Sequence, residues 1–164
     1  MSYIYKIVFE LMEQYGTRDP YELADALGIM VFYYDLGNMR GCFTFIDGQP
    51  VILLNEKLSE RAARIVCAHE LGHFVLHSEI AKNAALRDFQ VFNMQRKTEY
   101  EANVFAAHLL IDEDRAFELL RAGYNAETTA RILETHPVLL NALFSSLNTM
   151  GYNLSTGWTG TELF

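Results

Sequence analysis

Ala68-His69-Glu70-Leu71-Gly72-His73-Phe74-Val75-Leu76-His77 is the stretch on which the reading of this chain turns. From Ser59 onward, Ala62, Ile65, Val66, His69, His73 and Leu76 recur on one helical face. The spacing predicts a helix that starts at Ser59 as N-cap and runs to about His77. Two histidines four residues apart stack one above the other, so both rings can reach one ion. Neutral imidazole is a good zinc ligand. Glu70 follows the first histidine at the adjacent edge of that face. There it can reach a water beside the ion without binding the ion itself, the position a general base needs. The alternative is a pair of satisfied core histidines. An apolar helix weighs against it, since burying two imidazoles and a carboxylate without a partner is costly.

A catalytic zinc usually takes three protein ligands and leaves a place for water. His77 cannot be the third, because eight helical residues put it about 12 Å along the axis from His69. It reads as a cation at the helix C-terminus, a packing residue or a donor behind a ligand ring. The pattern that breaks the helix with glycine before a third histidine does not occur here. A second apolar-periodic segment, about 97–120, offers better candidates in Glu99-Tyr100-Glu101-Ala102-Asn103. Glu99 and Asn103 share a face. Glu99 can bind the ion while Asn103 accepts a proton from the ring nitrogen that does not. Glu101 is turned by about 200° from Glu99 and is expected to face away. By itself Glu99 reads equally well as a solvated charge near a helix start; the histidine motif tips the balance. Tyr100, Tyr124 and His108 are candidate oxyanion donors, although packing or surface display is the plainer reading of each.

Working outward, residues 3–15 carry Ile4, Ile7, Val8, Leu11 and Met12 at helical spacing. Asp19-Pro20-Tyr21-Glu22 is a helix start, closed near Leu27-Gly28. Residues 29–34, 42–46 and 51–54 read as strands, the last two forming a hairpin around Asp47-Gly48 whose loop looks slightly longer than two residues. Residues 79–95 read as a connecting loop or short turn, and 126–134 and 137–150 as two shorter helices. The expected class is α+β, a small sheet containing an antiparallel pair packed on the histidine helix, then helices. The expected division is a domain over residues 1–122 and a helical C-terminal extension over 123–164, packed on the same core.

The 164 residues carry 13 Lys plus Arg against 21 Asp plus Glu, a net charge of −8, and no dense basic run. Such a chain repels phosphate backbones, so direct nucleic-acid binding is not expected. Acidic residues at Glu10 and Glu13 interrupt any signal-peptide core, and no apolar run approaches the ~20 residues of a membrane span. Cys42 and Cys67 make neither a disulfide framework nor a zinc knuckle, and a reducing cytoplasm is the natural compartment.

His-Glu-Leu-Gly-His at 69–73, Leu76-His77, and Glu99-x-Glu-Ala-Asn-x-Phe-Ala-Ala-x-Leu-Leu at 99–110 resemble the ImmA/IrrE family of zinc-dependent metallopeptidases. The resemblance covers about residues 5–115. It implies a zincin-like fold, Zn2+ held by His69, His73 and Glu99, and Glu70 as catalytic acid/base. It also implies a protein substrate of the helix-turn-helix repressor class, from a phage or mobile element. Members commonly follow the Leu-Leu pair with Met-Pro. Here Ile111-Asp112 stands instead, a change expected to alter the exit of the second helix and not the site.

Two other readings compete with a regulated zinc endopeptidase. One is a non-proteolytic interaction module that keeps zinc for stability, against which Glu70 counts, since a structural site needs no base. The other is a cytoplasmic peptidase of loose specificity. For substrate binding, the edge of the segment Val51 to Asn55 is expected to pair with an extended peptide.

Overall fold

The computed structural model describes residues 3–82 and 91–154. Its elements run α1 (Tyr3–Tyr15), α2 (Pro20–Ala26), β1 (Met30–Tyr34), β2 (Gly41–Ile46), β3 (Gln49–Asn55), α3 (Glu60–Lys82), α4 (Val91–Leu110), α5 (Glu113–Arg121), α6 (Ala126–Ile132) and α7 (Pro137–Thr149). The class is α+β, with a small mixed sheet on one side of the histidine helix and helices on the other. The helix starts follow the capping residues. Asp19 accepts from the amides of Tyr21 and Glu22 with proline opening α2, and Ser59 Oγ accepts from the Ala62 amide at 3.3 Å.

The sheet order is β1-β3-β2. β2 and β3 pair antiparallel, with Ile46 opposite Gln49. The connection is therefore two residues long, shorter than the sequence suggested. Asp47 and Gly48 have φ of 50° and 79°, the left-handed pair that a tight hairpin matching strand twist requires. β1 pairs parallel to β3. β3 thus lies in the middle of the sheet with both edges used, which overturns the expectation that Val51 to Asn55 could take up a peptide. The outward strand beside the histidine helix is β2.

Paired residues point to the same side, so Phe43, Ile52 and Val31 share the face turned to α3. Phe43 meets Phe74 of α3 edge to face, with centroids 5.5 Å apart. One continuous core follows, in which Ile52, Leu54, Val66, Leu71, Phe105, Leu109, Leu139, Leu143 and Phe144 are all buried. α4 is its central layer, packed against α3, α1 and α7.

Two helix boundaries differ from the sequence reading. α3 continues past His77 to Lys82, and α4 already begins at Val91; the rest of the loop expected over 79–95, residues 83–90, lies outside the described residues. The single helix expected over 97–120 is two. α4 stops at Leu110, and Asp112 caps α5 by accepting from the Arg115 amide at 3.0 Å. The apolar run Leu109-Leu110-Ile111 carries the helical period through the break, while Asp112 as an N-cap competes with the helix interior for its own backbone. The break has a buried anchor. His108 in the last turn of α4 is 2.9 Å from Glu113 Oε1 through Nδ1 and 2.9 Å from Ser146 Oγ through Nε2, tying α4 to α5 and α7.

Candidate active site

Three side chains from two helices meet at one point. His69 and His73 project from the same face of α3, and Glu99 comes from the facing α4. His69 Nε2 and His73 Nε2 are 3.1 Å apart. Glu99 Oε2 is 3.2 Å from His69 Nε2, and Oε1 is 3.3 Å from His73 Nε2. The three donor atoms all lie within 4.8 Å of one another. His69 is 3% exposed, whereas the Glu99 side chain is 50% exposed, so the point of convergence opens to solvent on the carboxylate side.

The outer ring nitrogens are engaged away from this point. Asn103 Oδ1 is 2.8 Å from His69 Nδ1. An amide oxygen only accepts, so this bond puts the proton on Nδ1 when its amide is oriented as assigned. His73 Nδ1 is 3.2 Å from His77 Nδ1. Two neutral imidazoles held this way aim Nε2 lone pairs into one volume beside a carboxylate. That arrangement is repulsive unless a positive charge lies between them. Two nitrogens and a carboxylate oxygen with open access on the fourth side are the donor chemistry that suits zinc, so the residues fit such an ion.

The electrostatics follow from the same contacts. When the Nε2 atoms carry protons in place of an ion, hydrogen bonds from His69 and then His73 hold the Glu99 carboxyl well below the usual carboxylate range, against the opposing effect of burial. For His69, burial works against a proton, but the Glu99 hydrogen bond, the charges of Glu70 and Glu99 and the Asn103 bond outweigh it, so its pKa is raised. Glu70 is 8% exposed, and burial lifts its carboxyl above the ordinary range. His69, His73 and a hydrogen bond donated by the Phe43 backbone amide of β2 only partly offset this. Glu70 therefore sits between the histidine helix and the outward strand.

Glu101 and His77 meet each other behind the site. Glu101 does turn from the His69–His73 nitrogens, yet it does not face away into solvent. Its side chain is 14% exposed, and Oε2 lies 3.0 Å from Nε2 of the buried His77. His77 is accordingly not a terminal cation; burial lowers its pKa despite Glu101. Of the three oxyanion candidates, His108 is removed, since both of its ring nitrogens are taken in the buried bridge to Glu113 and Ser146. Tyr100 and Tyr124 are 46% and 47% exposed, Tyr100 next to Glu99 on α4 and Tyr124 in the turn between α5 and α6.

This architecture, a histidine helix against a small sheet with a carboxylate from the next helix, defines a zincin-like class. The family model described as the IrrE N-terminal-like domain, of peptidase family M78, matches residues 24–143. The chain belongs to that metallopeptidase family. Two curated relatives are similar to it. Uncharacterized immunity region protein 2 of Bacillus phage phi105 is 34% identical over 107 residues, 65% of this chain and 66% of that protein. Metallopeptidase ImmA of Bacillus subtilis strain 168 is 31% identical over 131 residues, 75% of this chain and 73% of that protein. The chain thus spans about two thirds of the first and about three quarters of the second. Among the described residues no helix is long and apolar enough to cross a membrane.

Proposed function

We propose that the chain is a zinc-dependent endopeptidase, with His69, His73 and Glu99 as metal ligands, Glu70 as acid/base and Asn103 fixing the His69 ring. Its substrate on this reading is a helix-turn-helix repressor of a phage or mobile element, which puts the activity in the cytoplasm. The observation that carries the reading is the convergence of His69 Nε2, His73 Nε2 and a Glu99 oxygen within 4.8 Å, with Glu70 buried beside them.

Bound zinc supplies a Lewis acid that polarises the scissile carbonyl and makes water more acidic. Glu70 takes the proton of the attacking water and passes it to the leaving nitrogen. Burial raises its proton affinity, which suits a group that must hold the proton between the two transfers. β2 is the strand edge beside Glu70, and its backbone can pair with an extended substrate segment. The repressor assignment draws on the family resemblance and on the immunity-region name of the phage relative. A net charge of −8 also complements the basic surface of a DNA-binding protein.

The test incubates the zinc-loaded protein with purified repressor encoded near its gene, alongside the Glu70→Gln variant, and reads fragments by mass spectrometry. Cleavage at defined bonds by the unmodified protein is expected, with a drop of about 10²–10⁴-fold in the variant. If both proteins bind the repressor equally and neither yields fragments, the chain is an interaction module. Comparable cleavage of unrelated unfolded proteins would sink the repressor assignment and leave a peptidase of loose specificity.

A further inference from the structure

The His69 ring is steadied by Asn103. The His73 ring is steadied by a longer chain of contacts: His73 Nδ1 to His77 Nδ1 at 3.2 Å, then His77 Nε2 to Glu101 Oε2 at 3.0 Å. The carboxylate is itself held from two further directions. Lys97 Nζ is 3.8 Å from Oε1, and the Tyr3 hydroxyl of α1 donates to Glu101.

With Glu101 ionised, His77 neutral and the His73 Nε2 lone pair kept for an ion, proton accounting along this chain leaves one solution. An ionised carboxylate only accepts, so His77 Nε2 must carry a hydrogen. A neutral His77 then has a bare Nδ1, which can only accept. The hydrogen between the two rings must belong to His73 Nδ1, and His73 Nε2 is left with its lone pair toward Glu99 and His69.

We propose that Glu101, acting through His77, is a positioning residue that fixes the tautomer and orientation of His73 for metal binding. The proposal rests on the reading of His69, His73 and Glu99 as a metal site. Glu101 reaches His77 and not the three converging donor atoms. Its effect passes through one imidazole, and partners behind a ligand typically change metal affinity by about 10–100-fold.

The experiment measures zinc affinity by competition with a chromophoric chelator, and histidine tautomers in the zinc-loaded protein by long-range proton–nitrogen correlation. Wild type is compared with Glu101→Leu, Glu101→Gln, His77→Leu, the Glu101→Leu/His77→Leu double variant, His73→Ala and Glu99→Ala. We expect the Nε2–H form at His77 and the Nδ1–H form at His73 in wild type, and a mixture of tautomers at His77 in Glu101→Leu. Zinc affinity should fall about tenfold or more in Glu101→Leu. The glutamine variant keeps an acceptor and should recover most of that loss. The double variant should lose no more than His77→Leu alone, because both act along one path. An Nδ1–H form at His77 in wild type, or zinc binding by Glu101→Leu within twofold of wild type, overturns the proposal. Should Glu101→Leu fail to fold, the wild-type tautomers and the His77→Leu affinity decide alone. If His73→Ala and Glu99→Ala bind zinc as tightly as wild type, it is the metal-site reading that has failed.

Discussion

Gly72 of α3 lies so close to Ala102 of α4 that a β-carbon on Gly72 would come within 3.1 Å of the Ala102 Cα. Gly72 stands between His69 and His73, and Ala102 between Glu99 and Asn103. The two helices therefore approach closely at the level of the candidate ligands, where Glu99 and Asn103 reach the histidine rings. Glycine inside a helix costs about 1 kcal/mol relative to alanine. Overfilling a packed interface costs about 1–3 kcal/mol. A methyl group at 72 would also press on Phe105 Cβ at 3.1 Å and the Ala102 carbonyl at 3.2 Å, so crowding should win. Gly72→Ala is expected to lower the denaturant midpoint modestly, and Gly72→Val by more. A raised midpoint for the alanine variant would mean that close approach is not what keeps a glycine there.

Asn103 should govern zinc affinity through the His69 ring. Asn103→Leu removes the acceptor at 2.8 Å and is expected to weaken zinc binding about tenfold, while Asn103→Asp, which keeps an acceptor, should bind within a few-fold of wild type. Chelator competition at fixed pH reads both. Equal affinity in the leucine variant would remove Asn103 from the site.

Zinc should also stabilise the fold by mass action. With free zinc at 100 times its dissociation constant, unfolding should require about 2.7 kcal/mol more than in chelator. Thermal melts with and without zinc test this, and Glu99→Ala should erase most of the difference. An identical melt in zinc and chelator would argue against a site formed only in the folded chain.

His136 makes α7 sensitive to acid. Its Nδ1 caps the helix by accepting from the Val138 amide at 3.3 Å, which only the neutral ring can do. Burial first, then the charges of Arg40 and Arg61, lower its pKa below the ordinary 6.5. The unfolded chain therefore takes up the proton before the folded one. This contribution to stability is complete above the unfolded value and is lost as pH falls from there through the lowered folded value. His136→Asn keeps a cap that does not titrate. Chemical denaturation at pH 7.5 and 5.5 should show a smaller loss in the variant than in wild type; equal losses would assign the acid sensitivity elsewhere.

Asp112 should matter to the fold more than its exposure suggests. Replacing an N-cap acid by alanine costs about 1 kcal/mol. Asp112→Ala is expected to lower stability by that order, and Asp112→Ser to restore most of it. An unchanged midpoint in the alanine variant would mean that the His108–Glu113–Ser146 bridge alone sets the start of α5.

The local signals in the sequence were strong where one residue's chemistry sufficed. Asp19-Pro20, Gly28 and Asp47-Gly48 each mark a boundary through backbone preferences. The i, i+4 spacing of His69 with His73, and of Glu99 with Asn103, puts each pair on one face whatever the surrounding fold. What escaped was relational. Hydrophobic alternation in three short strands does not say which is central, so β3 reads as readily as an edge. The polar Ser78-Glu79 looked like an end to α3 because periodicity is blind to a helix that continues across a polar face. The contact between Glu101 and His77 depends on the rotational phase of α4 against α3. That phase is set by the packing at Gly72, not by the spacing within either helix.

Glu70 draws its hydrogen bond from the main chain of residue 43, and the benzyl group there has no part in it. The proposed proton carrier is therefore moored to something every amino acid but proline can furnish. Gly41 and Phe43 are held against α3, whereas Cys42, Thr44 and Ile46 on the opposite face of β2 can change without touching that bond. The anchor of that carboxylate and the side chains open to change thus lie on different atoms of the same strand.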